Sequence, residues 1–230
     1  LGGVLGGDVH VLNDAVNAIR CGTPDGVGVV VSCGTGGTAA GLGTDGTIYH
    51  RGFWPEPSGA REIGRLGLQS VQRAHLGLEP STALTPLALA RYGAADPDDL
   101  LHRLTARGRA ASTDSRWFCP DVLDAAEVGD AAARAIVLRE GSVLGGQARV
   151  CAEQVGYTGA FPLVFVGGVF RHPSRILRDA ILAEVPGGEP VEMLWEPATA
   201  ALLRAFDHLG IDASAAVAAS LPEHAIFATD

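Results

Sequence analysis

Two short stretches carry residue types able to move a phosphoryl group. Asn13-Asp14 closes the apolar run 9–12 and opens a helical pattern in Ala15, Val16, Ala18 and Ile19. Further on, the β-branched run 27–31 opens into Cys33-Gly34-Thr35-Gly36-Gly37, a glycine-rich loop with one hydroxyl. Such a loop lets backbone N–H groups approach phosphate oxygens with no Cβ in the way. A nearby carboxylate can orient or deprotonate an attacking hydroxyl. One strand would thus deliver a base and the next an anion cradle, a pairing that points to phosphoryl transfer.

Composition narrows how that chemistry could be done. All 17 basic residues are Arg. The absence of Lys excludes a P-loop lysine, a protein-kinase lysine and a Schiff base. Phosphates would have to be held by amides, hydroxyls, Arg and metal ions. The four cysteines, at 21, 33, 119 and 151, have no CxxC pair or His partner at ligand spacing, so they read as small buried residues and no protein metal site is expected. The histidines are scattered without a motif. At 230 residues and 47% hydrophobic, with mean hydropathy +0.21, the chain can build a sizeable core. No apolar run reaches the roughly 18 residues of a membrane helix. The opening LGGVLGG lacks the basic region of a signal peptide. A cytoplasmic protein is expected, and net charge −9 argues against nucleic acid as a partner.

The elements that must position these residues are punctuated clearly. Asp45-Gly46 between short extended runs predicts a hairpin. Ser58 is placed to cap a helix with Ile63, Leu66, Val71 and Ala74 on one face. From 81 to 129 the chain reads as short helices opened at Thr85-Pro86, Asp96-Pro97 and Pro120 and stopped near Gly93, Gly108 and Gly129. A long helix runs from an Asp130 cap to Gly156 with Gly141, Gly145 and Gly146 inside it. Glycine there costs roughly 1 kcal/mol relative to Ala, so something approaches closely, either a packed neighbour or a nucleotide. Leu163–Val166 reads as a buried strand broken by Gly167-Gly168. Then come a helix opened by Pro173, a strand over 191–195 and a helix from Pro197 to Gly210. The alternation is that of an α/β domain with parallel strands.

In their order and spacing, these residues resemble the N-acetylglucosamine kinases and the related ATPases that activate benzoyl-CoA reductase, members of the acetate and sugar kinase, chaperone and actin superfamily. The carriers are Asn13-Asp14-Ala15, Val31-Ser-Cys-Gly-Thr-Gly36, Asp45-Gly46 and Ile63-Gly64, followed by 125–130, 165–170 and 197–202. The resemblance implies a ribonuclease H-like, actin-type ATPase lobe: a mixed sheet with a hairpin, flanking helices and a helical insertion at about 81–129. Residues 1–26 would end a first lobe, 27–210 form the second and 211–230 a tail.

It also implies roles. Asp14 matches the general base that contacts the sugar, although a helix N-cap alone would explain it. Gly34, Thr35 and Gly36 match a phosphate loop, and Gly167 and Gly168 the adenosine loop, with Gly141 near the adenine. Asn13, Gly37, Thr38, Phe53, Trp54 and Glu56 fall on the sugar side. ATP and Mg²⁺ are the cofactors expected, the partner is a small-molecule sugar, and a homodimer is left open. Relatives carry Gly-Asp-Glu-Gly-Ser where this chain has Pro55-Glu56-Pro57-Ser58-Gly59. They also carry an Asp-Gly-Gly-Gly-Thr turn in a first lobe that would precede Leu1. Three outcomes stay open: an amino-sugar kinase that is part of a longer protein, an activator-type ATPase, and a non-catalytic sugar-sensing module.

Overall fold

The computed structural model describes residues 11–51, 56–106, 108 and 113–220. Its centre is a five-stranded mixed sheet in the order β3-β2-β1-β4-β5. The strands are β1 (Gly28–Cys33), β2 (Gly37–Leu42), β3 (Ile48–Arg51), β4 (Phe161–Val166) and β5 (Gly188–Val191). The first three form an antiparallel meander, and β4 and β5 add in parallel beside β1. The glycine loop is therefore itself a hairpin turn, with Cys33 opposite Gly37. The Asp45-Gly46 turn joins β2 to β3 as expected.

β1 and β4 are buried on both faces, which explains their unbroken apolar runs. Alternation along them divides the core in two. Val29, Val31, Cys33, Leu163 and Phe165 face one cluster, which includes Val137, Leu144, Ala148 and Cys151 of α6 (Ala131–Gln154). Val30, Ala40, Leu42, Val164 and Val166 face the other, with Ala15, Val16 and Ile19 from α1 (Asp14–Ala18) and its following turn, and Ala200 from α8 (Pro197–His208). The result is three layers, helix on sheet on helix.

The remaining helices pack around α6 or at the edges. They are α2 (Ala60–His75), α3 (Leu84–Tyr92), α4 (Pro97–Thr105), α5 (Cys119–Glu127), α7 (Ile176–Glu184) and α9 (Ser214–Ser220). Pro and Gly punctuate them as the sequence predicts: Asp96 caps α4, Gly93 closes α3 in the left-handed conformation and Asp130 caps α6. The strand expected over 191–195 instead ends at Val191, because the chain then leaves the sheet and the Leu194 and Trp195 amides donate to the Cys21 carbonyl. Ser58 does not cap α2. Gly59 takes that position at φ +96°, and the Ser58 hydroxyl is buried without a partner among the described residues. No described helix is long and apolar enough to cross a membrane.

Candidate functional site

Parallel pairing of Ser32 with Val166 puts the C-terminal ends of β1 and β4 side by side. The two glycine bends consequently touch. Gly167 sits at φ +109°, and a Cβ there would lie 2.4 Å from the Cys33 carbonyl oxygen. Only glycine satisfies both the backbone angle and the contact. In open α/β sheets this C-terminal edge is where ligands bind.

Peptide geometry fixes how the first bend presents itself. The carbonyls of Gly34 and Thr35 accept the N–H groups of Ala60 (2.9 Å) and Arg61 (3.1 Å), the first amides of α2. In a planar trans peptide the N–H points opposite to the C=O. The amides of Thr35 and Gly36 are thus turned away from α2, on a loop whose Thr35 and Gly36 are exposed. The Cβ positions of Gly34 and Gly168 meet nothing within 4 Å. The turn has the form of an anion-binding cradle.

Beyond Gly167 a cleft of about 580 Å³ opens between β4, β5 and the start of α7. Arg171, Arg175 and Arg178 line it with Phe165, Phe170 and Met193. The Arg178 guanidinium stacks 5.0 Å from the centre of the Phe165 ring. A chain of net charge −9 gathers three cations and two aromatic rings here against the one carboxylate of Glu192, a lining that suits a flat, anionic ligand.

Asp14 lies at the exposed N-terminus of α1. Asn13 caps that helix by accepting the Ala15 amide at 3.0 Å, and Asp14 accepts the same N–H at 2.9 Å. The turn after α1 sets Ile19 beside Gly28, the first residue of β1. The helix packs on β1 and β2.

The other expected residues are distributed unevenly. Thr38 pairs with Ser32 in the ladder directly after the turn. Gly37 is buried under Ser58 and Leu144, so it serves packing. Glu56 is ion-paired with Arg139 of α6. Gly141 faces Ala180 of α7, whose Cβ would stand 2.3 Å from a Cβ at 141; helix packing rather than an open face accounts for this glycine. Phe53 and Trp54 lie outside the described residues.

One buried group was not anticipated from sequence. Glu140 of α6 is fully buried, and its Oε1 accepts the Gly59 amide at 2.5 Å. Burial above all raises its pKa to about 7, against the opposing pull of the Gly59 hydrogen bond. The signal was present: Glu140 shares the α6 face of Val137 and Leu144, at spacings of three and four, and an acid on an apolar stripe needs a reason. The cysteines carry no comparable chemistry. Burial pushes Cys21 up to about 11 and Cys119 up to about 12, and Cys33 well above its ordinary value, so none of these three offers a thiolate.

No family model matches the sequence. The N-acetyl-D-glucosamine kinase of Dictyostelium discoideum is 25% identical over 217 residues, covering 90% of this chain and 67% of that protein. A provisionally named N-acetylglucosamine kinase from Chromobacterium violaceum superposes with a TM-score of 0.62 at 24% identity, over 83% of this chain and 63% of that one. A second, from Porphyromonas gingivalis, gives 0.61 at 18% identity over 86% and 66%. The chain therefore spans about two thirds of the length of these relatives, and it has the actin-type ATPase fold of its structural neighbours.

Proposed function

We propose, on the premise that this chain belongs with the N-acetylglucosamine kinases, that it supplies the second lobe of an ATP-dependent kinase that phosphorylates an amino sugar, N-acetylglucosamine or glucosamine, at the 6-hydroxyl. The observation that carries this reading is the back-to-back packing of the two glycine bends beside an arginine-lined cleft. ATP would lie along the edge of β1 and β4, its nucleoside against Gly167 and Gly168 and its phosphates over the Thr35 and Gly36 amides. Phosphoryl transfer is mostly positioning and charge neutralisation, work that amides and Arg can do without Lys. Mg²⁺ bound with the nucleotide would neutralise phosphate charge; no protein ligand for it is assigned. Asp14 would take the proton of the attacking hydroxyl, and its exposure leaves it within reach of a substrate. Asn13, Thr38 and Glu56 would line the sugar side, where Glu56 must exchange Arg139 for the sugar.

The test is ADP release by the full-length protein with ATP, Mg²⁺ and a panel of sugars. Turnover that requires an amino sugar, and falls roughly 10²–10⁴-fold in Asp14→Asn, supports the reading. Turnover indifferent to every sugar refutes it in favour of an activator-type ATPase. Sugar binding without turnover favours a sensing module, a reading that the engaged Glu56 suits.

A further inference from the structure

We propose that Glu140 is a positioning residue for the glycine turn: its carboxyl fixes Gly59, Gly59 fixes the first turn of α2, and that turn aims the Thr35 and Gly36 amides. Each link is a direct contact. Glu140 Oε1 accepts the Gly59 amide, the Gly59 carbonyl accepts the amides of Glu62 and Ile63 (both 3.0 Å), and the Ala60 and Arg61 amides between them donate to the Gly34 and Thr35 carbonyls. Gly59 also presses on the turn itself, since a Cβ there would lie 2.4 Å from the Gly36 carbonyl carbon.

The arrangement explains why a carboxyl is tolerated in the core. A helix start needs an acceptor for its leading amides, ordinarily a Ser, Thr, Asn or Asp side chain at the cap. Position 59 must be glycine, so it brings no side chain, and no side-chain cap is present. The Gly34 and Thr35 carbonyls take the first two of those leading amides, and Glu140, from another helix, takes the amide of the cap residue itself, its acidic group at the positive end of α2. Packing alone would be served by an apolar residue, as at Val137 and Leu144 on the same stripe. Glu140 Oε2 and the Ser58 hydroxyl are both buried without partners among the described residues, a cost that a purely structural position would not keep. The charged and titratable groups that face Glu140 are Glu62 of α2, Arg139 of its own helix, Glu56, Cys33 of β1 and Cys119 of α5.

The contacts stand by themselves; only the consequence for ligand affinity rests on the reading of the turn as a phosphate loop. The test uses the whole 230-residue chain as wild type, Glu140→Gln and Glu140→Leu. In Glu140→Leu, amide exchange at Gly59, Ala60 and Arg61 should rise about tenfold, while Val29–Val31 stay protected. Glu140→Gln keeps an acceptor and should stay within about threefold of wild type. The Gly59 amide resonance should titrate near pH 7 in wild type and not in Glu140→Gln, a readout that also decides the matter should the leucine variant fail to fold. Wild-type exchange in Glu140→Leu, or a Gly59 resonance that does not move between about pH 5 and 9, overturns the proposal. Calorimetry with Mg²⁺ and ATP separates the two readings. Weaker ATP binding in Glu140→Leu than in Glu140→Gln supports the aiming role, and equal binding overturns it. A wild type that binds no ATP sinks the phosphate-loop reading, while the exchange data still decide Glu140.

Discussion

Replacing Glu140 by Gln should remove a pH dependence of stability that the fold builds in. Glu140 has no exposed surface, and its pKa rises from 4.5 to about 7, a change of about 2.5 units. At 1.36 kcal/mol per unit this corresponds to about 3 kcal/mol of differential stability. Because the folded value is the higher one, the native state binds more protons than the unfolded chain between pH 4.5 and about 7. Stability from this group is therefore complete at the acid end of that window and is lost as pH rises through it. Gln mimics the protonated acid in shape and keeps the acceptor for Gly59, so the two proteins should be nearly equal near pH 4.5. By about pH 8 Glu140→Gln should be the more stable by up to about 3 kcal/mol, and the difference should level off there. Urea unfolding of both at half-unit pH steps reads this directly, since titrating groups that do not face Glu140 cancel in the difference. A difference that is flat across the window would refute the assignment of a buried, neutral-capable acid at this position.

Gly59→Ala combines a backbone angle of +96° with a clash against Gly36 and should cost roughly 3 kcal/mol or more, seen as a large fall in melting temperature. Gly141→Ala should destabilise by about 1–2 kcal/mol through its contact with Ala180, and Ala180→Gly in the same protein should restore most of it; additive effects in the double mutant would contradict the packing. Asp207→Ala leaves Arg20, 2% exposed and bonded to Asp207 at 2.9 Å, without its counter-charge. Because Asp207 is itself 35% exposed, the loss should be about 2 kcal/mol rather than the larger figure of a fully buried pair, measured by denaturant midpoint.

Local chemistry made much of this fold readable in sequence. Proline and glycine mark the ends of α3, α4, α5 and α6 because each forbids or permits one backbone angle, and such constraints act without tertiary context. The β-branched runs of β1 and β4 announce strands covered on both faces. What stayed hidden depends on distant neighbours. The end of β5 is set by the Cys21 carbonyl, far away in sequence. The cap of α2 moved from Ser58 to Gly59 because Gly36 crowds that spot and the Gly34 and Thr35 carbonyls take the first helix amides. Gly141 left packing and ligand contact equally open until α7 was seen against it. The glycine bends were legible one by one, but their contact follows only from the parallel pairing of β1 with β4.

That contact has a consequence for how the edge can respond to a ligand. The Thr35 turn is grasped from below by the amides of α2, flanked by Gly59 and backed by Gly167, so its donors are already oriented when solvent is all that faces them. An incoming anion would meet a rigid receptor and would not have to freeze a floppy loop, which lowers the ordering cost of binding.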